Sequence, residues 1–307
     1  MSTTTSNAKT RASAAALIIF AIAALAGIAL HASDARPKIL GIAYVKFKTT
    51  DLEKAKGFYG GELGLNNGNI GDGKQDTFIV NQDQRVELVK TAPGTGGSYL
   101  VEIGLATDNL AKMREYLTAK GVPADRIMTR ADGTKYFETG DPEENKIVFV
   151  EQKRAGAETG PASAISHRLI HAGIIVTDAD AESKFYEGIL GFHVYWHGGM
   201  KDDQTDWMAM QVPDGTDWIE YMLRIPPDAD KRTRGVMYHI SLGVPSVAAA
   251  AKELAAKGYT SEEPKIGKDG KWQLNLYDPD QTRVELMEFT PVQKPCCSDF
   301  TGTQPRP

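Results

Sequence analysis

HAGIIVTDADAESKFYEGILGF, residues 171–192, is the stretch on which the fold turns. It opens with His171 at the head of an apolar run that reads as a strand. It then passes into ADAESKFYEGILGF, an amphipathic helix with Gly188 and Gly191 as helix-end and turn residues. Only alanine, isoleucine and valine surround the histidine. A polar ring in that setting is either a satisfied structural imidazole or a metal ligand, and the choice separates an enzyme from a binding module.

Working outward, the stretch has an echo. DADAESKFY (178–186) matches DLEKAKGFY (51–59) at an offset of 127 residues, and DPDQTRVELME (278–288) matches DPEENKIVFVE (141–151). In the first of these helices Leu52, Ala55, Phe58 and Tyr59 fall at helical spacing behind Asp51 as the cap. Strands open at ILGIAYVKF, YLVEIGLAT, RLIHAGIIV and VMYHISLGV, so four units of about 50–60 residues share one plan. Each reads as a strand, a helix and three short strands, an α+β protein built by duplication. The boundaries expected are a leader at 1–36, a first domain at 37–152, an Ala/Gly/Ser-rich linker at 153–166, a second domain at 167–290 and a tail at 291–307.

The leader has Lys9 and Arg11 before SAAALIIFAIAALAGIAL, 18 uncharged residues, and then HASDA, a small-residue processing site. This is the pattern of a secretory signal or an uncleaved anchor at the inner membrane, and it places the chain in the periplasm or outside the cell. A formal charge of −5, with no basic stripe, argues against nucleic acid as a partner. Cys296 and Cys297 are the only cysteines. Being adjacent, they cannot staple distant strands; a vicinal disulfide, an interchain pair or free thiols remain open.

The chemistry is unevenly spread. Beyond the leader all histidines (His167, His171, His193, His197, His239) and all tryptophans (Trp196, Trp207, Trp218, Trp272) follow the linker. His171 begins one unit and His239 begins the next. Glu220 follows the first by 49 residues and Glu285 the second by 46. In RVELMEF, Glu285 and Met287 share a face; His239 shares one with Ser241 and Gly243, and His171 one with Gly173 and Ile175. Small neighbours leave room for an ion. Two imidazoles with one or two carboxylates suit one divalent ion of the Fe, Mn, Ni or Zn type.

These residues carry a resemblance. HAGIIVTDADAESKFYEGILGF, YHISLGV and LYDPDQTRVELMEF resemble the vicinal oxygen chelate superfamily, which includes glyoxalases, bleomycin-resistance proteins and extradiol dioxygenases. The likeness runs over roughly residues 38–290. It implies four βαβββ modules in two paired domains, two modules curling around one pocket. It implies His171, Glu220, His239 and Glu285 as the metal positions. The corresponding first-domain positions are Tyr44, Glu87, Glu102 and Val148, which lack histidines and read as a lost metal site. A metal-free first domain before a metal-bearing second one resembles the ring-cleaving dioxygenases, which also use a pocket histidine and tyrosine; His193 or His197, with Tyr238 or Tyr277, stand as candidates. Among these His197 and Tyr277 are taken as catalytic, although Tyr277 abuts Asp278 without the usual intervening residues. A glyoxalase-like lyase or isomerase would instead use Glu285 or Glu220 as the base. The expectation is a metal-dependent enzyme holding a small-molecule substrate by neighbouring oxygens, as a monomer or homodimer. The alternative is a metal-free module that sequesters an aromatic or planar ligand between tryptophans.

Overall fold

The apolar run ILGIAYVKFKT folds as β1 (Ile39–Thr49), an 11-residue strand buried along nearly its whole length. Such burial on both faces suits a central strand, and β1 lies between a parallel and an antiparallel neighbour. The computed structural model describes residues 35–68, 75–93, 99–152 and 162–307. The leader expected over 1–36 lies outside the described residues apart from Ala35 and Arg36, as does most of the 153–166 linker. Among the described residues no helix is long and apolar enough to cross a membrane.

Four modules follow one another. The first is β1, α1 (Leu52–Lys56), β2 (Asn66–Asn67), β3 (Gln75–Ile79) and β4 (Arg85–Lys90). The second is β5 (Leu100–Thr107), α2 (Leu110–Ala119), β6 (Met128–Thr129), β7 (Lys135–Gly140) and β8 (Lys146–Glu151). The third is β9 (Arg168–Ile175), α3 (Ala179–Ser183), β10 (His193–Gly198), β11 (Trp207–Gln211) and β12 (Trp218–Met222). A short α4 (Lys231–Met237), not anticipated from the pattern, leads into the fourth: β13 (His239–Val244), α5 (Val247–Ala256), β14 (Lys265–Ile266), β15 (Trp272–Tyr277) and β16 (Arg283–Glu288). The fold is the expected α+β one of paired βαβββ modules.

Each pair of modules makes one eight-stranded sheet. The orders are β2-β3-β4-β1-β5-β8-β7-β6 and β10-β11-β12-β9-β13-β16-β15-β14. Within each sheet the modules join through antiparallel first strands, β1 with β5 and β9 with β13. The four module helices start on capping side chains, of which Asp51 is the expected one: Asp51, Asn109, Asp178 and Ser246 accept from the backbone N–H of Lys54, Lys112, Ala181 and Ala249. Each cap is worth about 1 kcal/mol.

α1 and α3 widen into π-turns, Gly57–Glu62 and Lys184–Ile189. Both bury two consecutive aromatics, Phe58–Tyr59 and Phe185–Tyr186. The tyrosines cross between domains: Tyr59 donates to Asp278 Oδ2 at 3.2 Å and Tyr186 to Asp141 Oδ2 at 3.1 Å. First-module thus meets fourth and third meets second. Burial pushes the two carboxyls up, Asp141 to about 6 and Asp278 to about 7.

One irregularity matters for the site. The β9/β13 register steps from His171 opposite Ser241 to Leu169 opposite Leu242, leaving Ile170 as an extra residue. Leu169 and Ala172 pack into the main core, whereas Ile170 joins a separate cluster with Trp218 and Met287. A bulge of this kind re-aims a side chain.

Candidate metal centre

Four neighbouring strands bring the four expected ligands together. Glu220 on β12 lies beside Gly173 on β9, and His239 on β13 faces the same glycine. Ser241 on β13 faces His171 and lies beside Glu285 on β16. The side chains meet on the inside of the curl. His171 Nε2 is 3.1 Å from His239 Nε2, 3.8 Å from Glu220 Oε2 and 3.5 Å from Glu285 Oε2. His239 Nε2 is 3.2 Å from Glu220 Oε2. Both imidazoles are fully buried and Glu285 is 5% exposed.

Gly173 explains why His239 can lie there. A Cβ on residue 173 would come within 2.0 Å of the His239 ring. His239 Nδ1 lies 2.9 Å from the Met237 carbonyl. As the donor in that bond it leaves the Nε2 lone pair facing the cluster, which is how a neighbouring carbonyl sets a ligating tautomer. Burial pulls both histidine pKa values well down, with Arg283 adding to the effect at His239. The rings are therefore neutral, as a metal ligand requires. Burial pushes Glu285 up to about 8, and Glu220 and Asp269 add to the push. Carboxylates crowded in this way are a site that gains by taking up a cation.

The donor set fits a divalent ion. Ligand bonds of roughly 2.0–2.2 Å place neighbouring donor atoms about 3.0–3.5 Å apart. The separations from 3.1 to 3.8 Å need only small adjustment. One local group competes: Arg283 Nη2 lies 2.7 Å from His239 Nε2, on the lone pair an ion would use. Arg283 has to turn aside when that nitrogen ligates. It could have been found in the sequence, because the period-2 alternation that pairs Glu285 with Met287 also includes residue 283.

The cluster adjoins a cavity of about 410 Å³ through its two glutamates. Glu220, Glu285 and Asn275 reach its wall, together with Tyr195, Trp207 and Trp218. Asn275 faces Glu285 across β15 and β16, and its Oδ1 is buried without a hydrogen-bond partner. The other two side chains expected at the site lie off the wall. The β10/β11 register shifts between Val194 and Trp196, so Tyr195 and Trp196 both reach the cavity and His197 does not. Tyr277 lies at the end of β15, its backbone N–H and carbonyl both bonded to the Tyr259 hydroxyl.

The tail is a strap over the cavity mouth. Val292 N–H donates to the Gly270 carbonyl and Cys296 N–H to that of Lys268, beside the β14–β15 turn. Further on, Trp196 Nε1 donates to the Cys296 carbonyl at 3.2 Å and Thr301 N–H to the Tyr195 carbonyl at 3.0 Å. The strap therefore joins the two edges of the second sheet, β10 and β14, and places Phe300 in the cavity wall. Cys296 and Cys297, at the crossing, form a vicinal disulfide.

At the equivalent positions the first domain holds its own cations. Register puts Tyr44, Glu87, Glu102 and Val148 at the positions of His171, Glu220, His239 and Glu285. Lys46 stands where the second domain has Gly173. Its Nζ lies 3.0 Å from Glu87 and 2.7 Å from Glu102. Arg130 reaches the same carboxylates at 2.6 and 3.3 Å, and Arg85 reaches Glu87 at 2.7 Å.

Comparison with known proteins agrees with this fold. Residues 168–286 match the Glyoxalase/Bleomycin resistance protein/Dioxygenase superfamily. A search of curated proteins by sequence gives no match. Among solved structures the fold is similar to the 2,3-dioxygenase LapB of Pseudomonas sp. KL28, 16% identical with a TM-score of 0.67 over 89% of this chain and 96% of that one. It is also similar to an extradiol ring-cleaving dioxygenase of B. fuscum (18%, 0.64, 87% and 75%) and to homoprotocatechuate 2,3-dioxygenase of Arthrobacter globiformis (17%, 0.62, 82% and 80%).

Proposed function

We propose, for a chain whose residues 168–286 form a domain of the Glyoxalase/Bleomycin resistance protein/Dioxygenase superfamily, that it is a metal-dependent dioxygenase acting on a small aromatic substrate with neighbouring oxygens. The observation that carries this is the cluster of His171, His239 and Glu220, whose ligand atoms lie within 4.8 Å of one another, with Glu285 3.5 Å from His171 and both carboxylates lining an aromatic-walled cavity. The whole-chain likeness to ring-cleaving dioxygenases supports it. His171, His239 and Glu285 would hold the ion. When bound, it would act as a Lewis acid on two adjacent substrate oxygens.

The chain's own groups do the rest. Glu220, part of the cavity wall, is placed to accept a hydroxyl proton as the substrate docks. Trp218, Tyr195 and Trp207 offer flat faces that fix the plane of an aromatic ring. The Phe300 strap shields that ring from water.

A second reading has its own support. Glu220 lies 3.2 Å from His239 Nε2, near enough to be a fourth ligand, which favours lyase or isomerase chemistry. One experiment separates the two. Protein loaded in turn with Fe(II), Mn(II), Ni(II) or Zn(II) is given catechol in air, and separately the hemithioacetal of a 2-oxoaldehyde. Oxygen uptake matching catechol loss with iron or manganese is the expected result. Turnover of the hemithioacetal with nickel or zinc, without oxygen uptake, overturns it in favour of the second reading. Ligand binding with neither turnover leaves a sequestering module.

A further inference from the structure

Lys271 is a charged side chain that the proposed reaction does not use. It ends the β14–β15 turn, one residue before β15, and is wholly buried. Its Nζ has no hydrogen-bond partner. Three rings surround it instead, with centroids 5.6 Å away for Tyr195, 5.1 Å for Trp218 and 5.0 Å for Phe300. Those are cation–π distances. Asp269 and Glu285 act on it electrostatically, but neither forms an ion pair with it among the described residues.

Burying an ammonium with three unmet donors is costly, and a methionine would fill similar space without that cost. A structural role alone therefore does not account for the charge. Its placement does. All three rings and both carboxylates around Lys271 are also residues of the cavity wall. The ammonium thus stands directly behind the wall, close to the metal cluster. It also bears on His171, whose pKa it helps to lower, and Trp218 connects the two, its ring 4.8 Å from the imidazole.

The rest of the wall points the same way. Besides the two carboxylates of the cluster, the cavity's charged residues are Asp269, Arg283, Lys265 and Lys268. Without an ion, Glu220, Glu285 and Asp269 balance Arg283, Lys265 and Lys268, so Lys271 tips the cavity positive; an ion held by the carboxylates would add to that excess. Low dielectric and the exclusion of water strengthen that imbalance.

We propose that Lys271 is a specificity-determining residue: its caged charge makes the cavity select aromatic ligands that carry a carboxylate over neutral rings of the same shape. The inference rests on the cavity being the ligand site, and not on which reaction the metal supports.

The test uses the full chain and two probes of equal shape, benzoate and benzamide. Binding is read by quenching of the wall tryptophans, in metal-free and in Zn(II)-loaded protein. The parent is expected to bind benzoate at least tenfold more tightly than benzamide in both forms. Lys271→Met is expected to weaken benzoate about tenfold and to change benzamide less than threefold. A parent that does not prefer benzoate overturns the proposal without any variant being made. So does a variant in which both affinities fall together, which marks the lysine as packing. Equal affinities in parent and variant also overturn it, because the charge then does not reach the ligand. Preference for benzoate in the metal-free form separates this proposal from the catalytic reading, since a protein without ring-cleaving activity would still show it.

Discussion

Gly173→Val protein is expected to bind a divalent ion more than 100-fold more weakly than the parent, with the sheet intact. The side chain would begin 2.0 Å from His239 Cε1 and 2.1 Å from its Nδ1, where ordinary contacts need about 3.4 Å or more. The ring has to move by over an ångström. That breaks the bond to Met237 and carries Nε2 away from Glu220. Loss of a hydrogen-bonding neighbour alone costs a metal ligand about 10–100-fold, and here the ligand itself is displaced. Overpacking adds a stability loss of about 1–3 kcal/mol. Competition with a chromophoric chelator gives the affinity. An unchanged affinity would mean that His239 does not ligate from the position described.

The second large effect belongs to the first domain. Lys46→Met removes the cation that bridges Glu87 and Glu102, both buried. Taking one partner from a buried ion pair costs about 3–5 kcal/mol, because the charges left behind stay out of water. The urea midpoint of the first domain's transition should fall accordingly, while metal affinity in the second domain stays as in the parent. A midpoint that does not move would show that Arg85 and Arg130 neutralise both carboxylates unaided. Together the two variants separate a cluster that carries its own cation from one built to receive a cation from solution.

Much of this contrast could be read from the chain. Duplication repeats the spacing that singles out His171, His239, Glu220 and Glu285, and a strand's period of two then fixes which residues share a face, so their coming together was legible in the sequence. Tyr44, Glu87, Glu102 and Val148 are implied only by the family resemblance, and the register places them at the equivalent positions. What escaped was set by long-range geometry or by breaks in the alternation. His197 lies off the cavity wall because the irregularity between Val194 and Trp196 turns the alternation of β10 over at its middle. Tyr277 has the face of Asn275 but lies past the end of the cavity. Lys271 and Phe300 carry no local signal. They meet only because the second sheet curls until its edges come under one strap, which the sequence shows only as a tail at 291–307. Arg283 was within reach of pattern reasoning, but a charged residue beside Thr282 on a strand end looks like surface until its neighbour His239 is seen.

The most direct measurement is the metal content of the full chain after loading with Fe(II) and removal of free ion, made side by side on the parent, His171→Ala and His239→Ala. One ion per chain in the parent and essentially none in either variant is the expected result. No retained ion in the parent, or the same amount in all three, would contradict a metal centre built on these histidines.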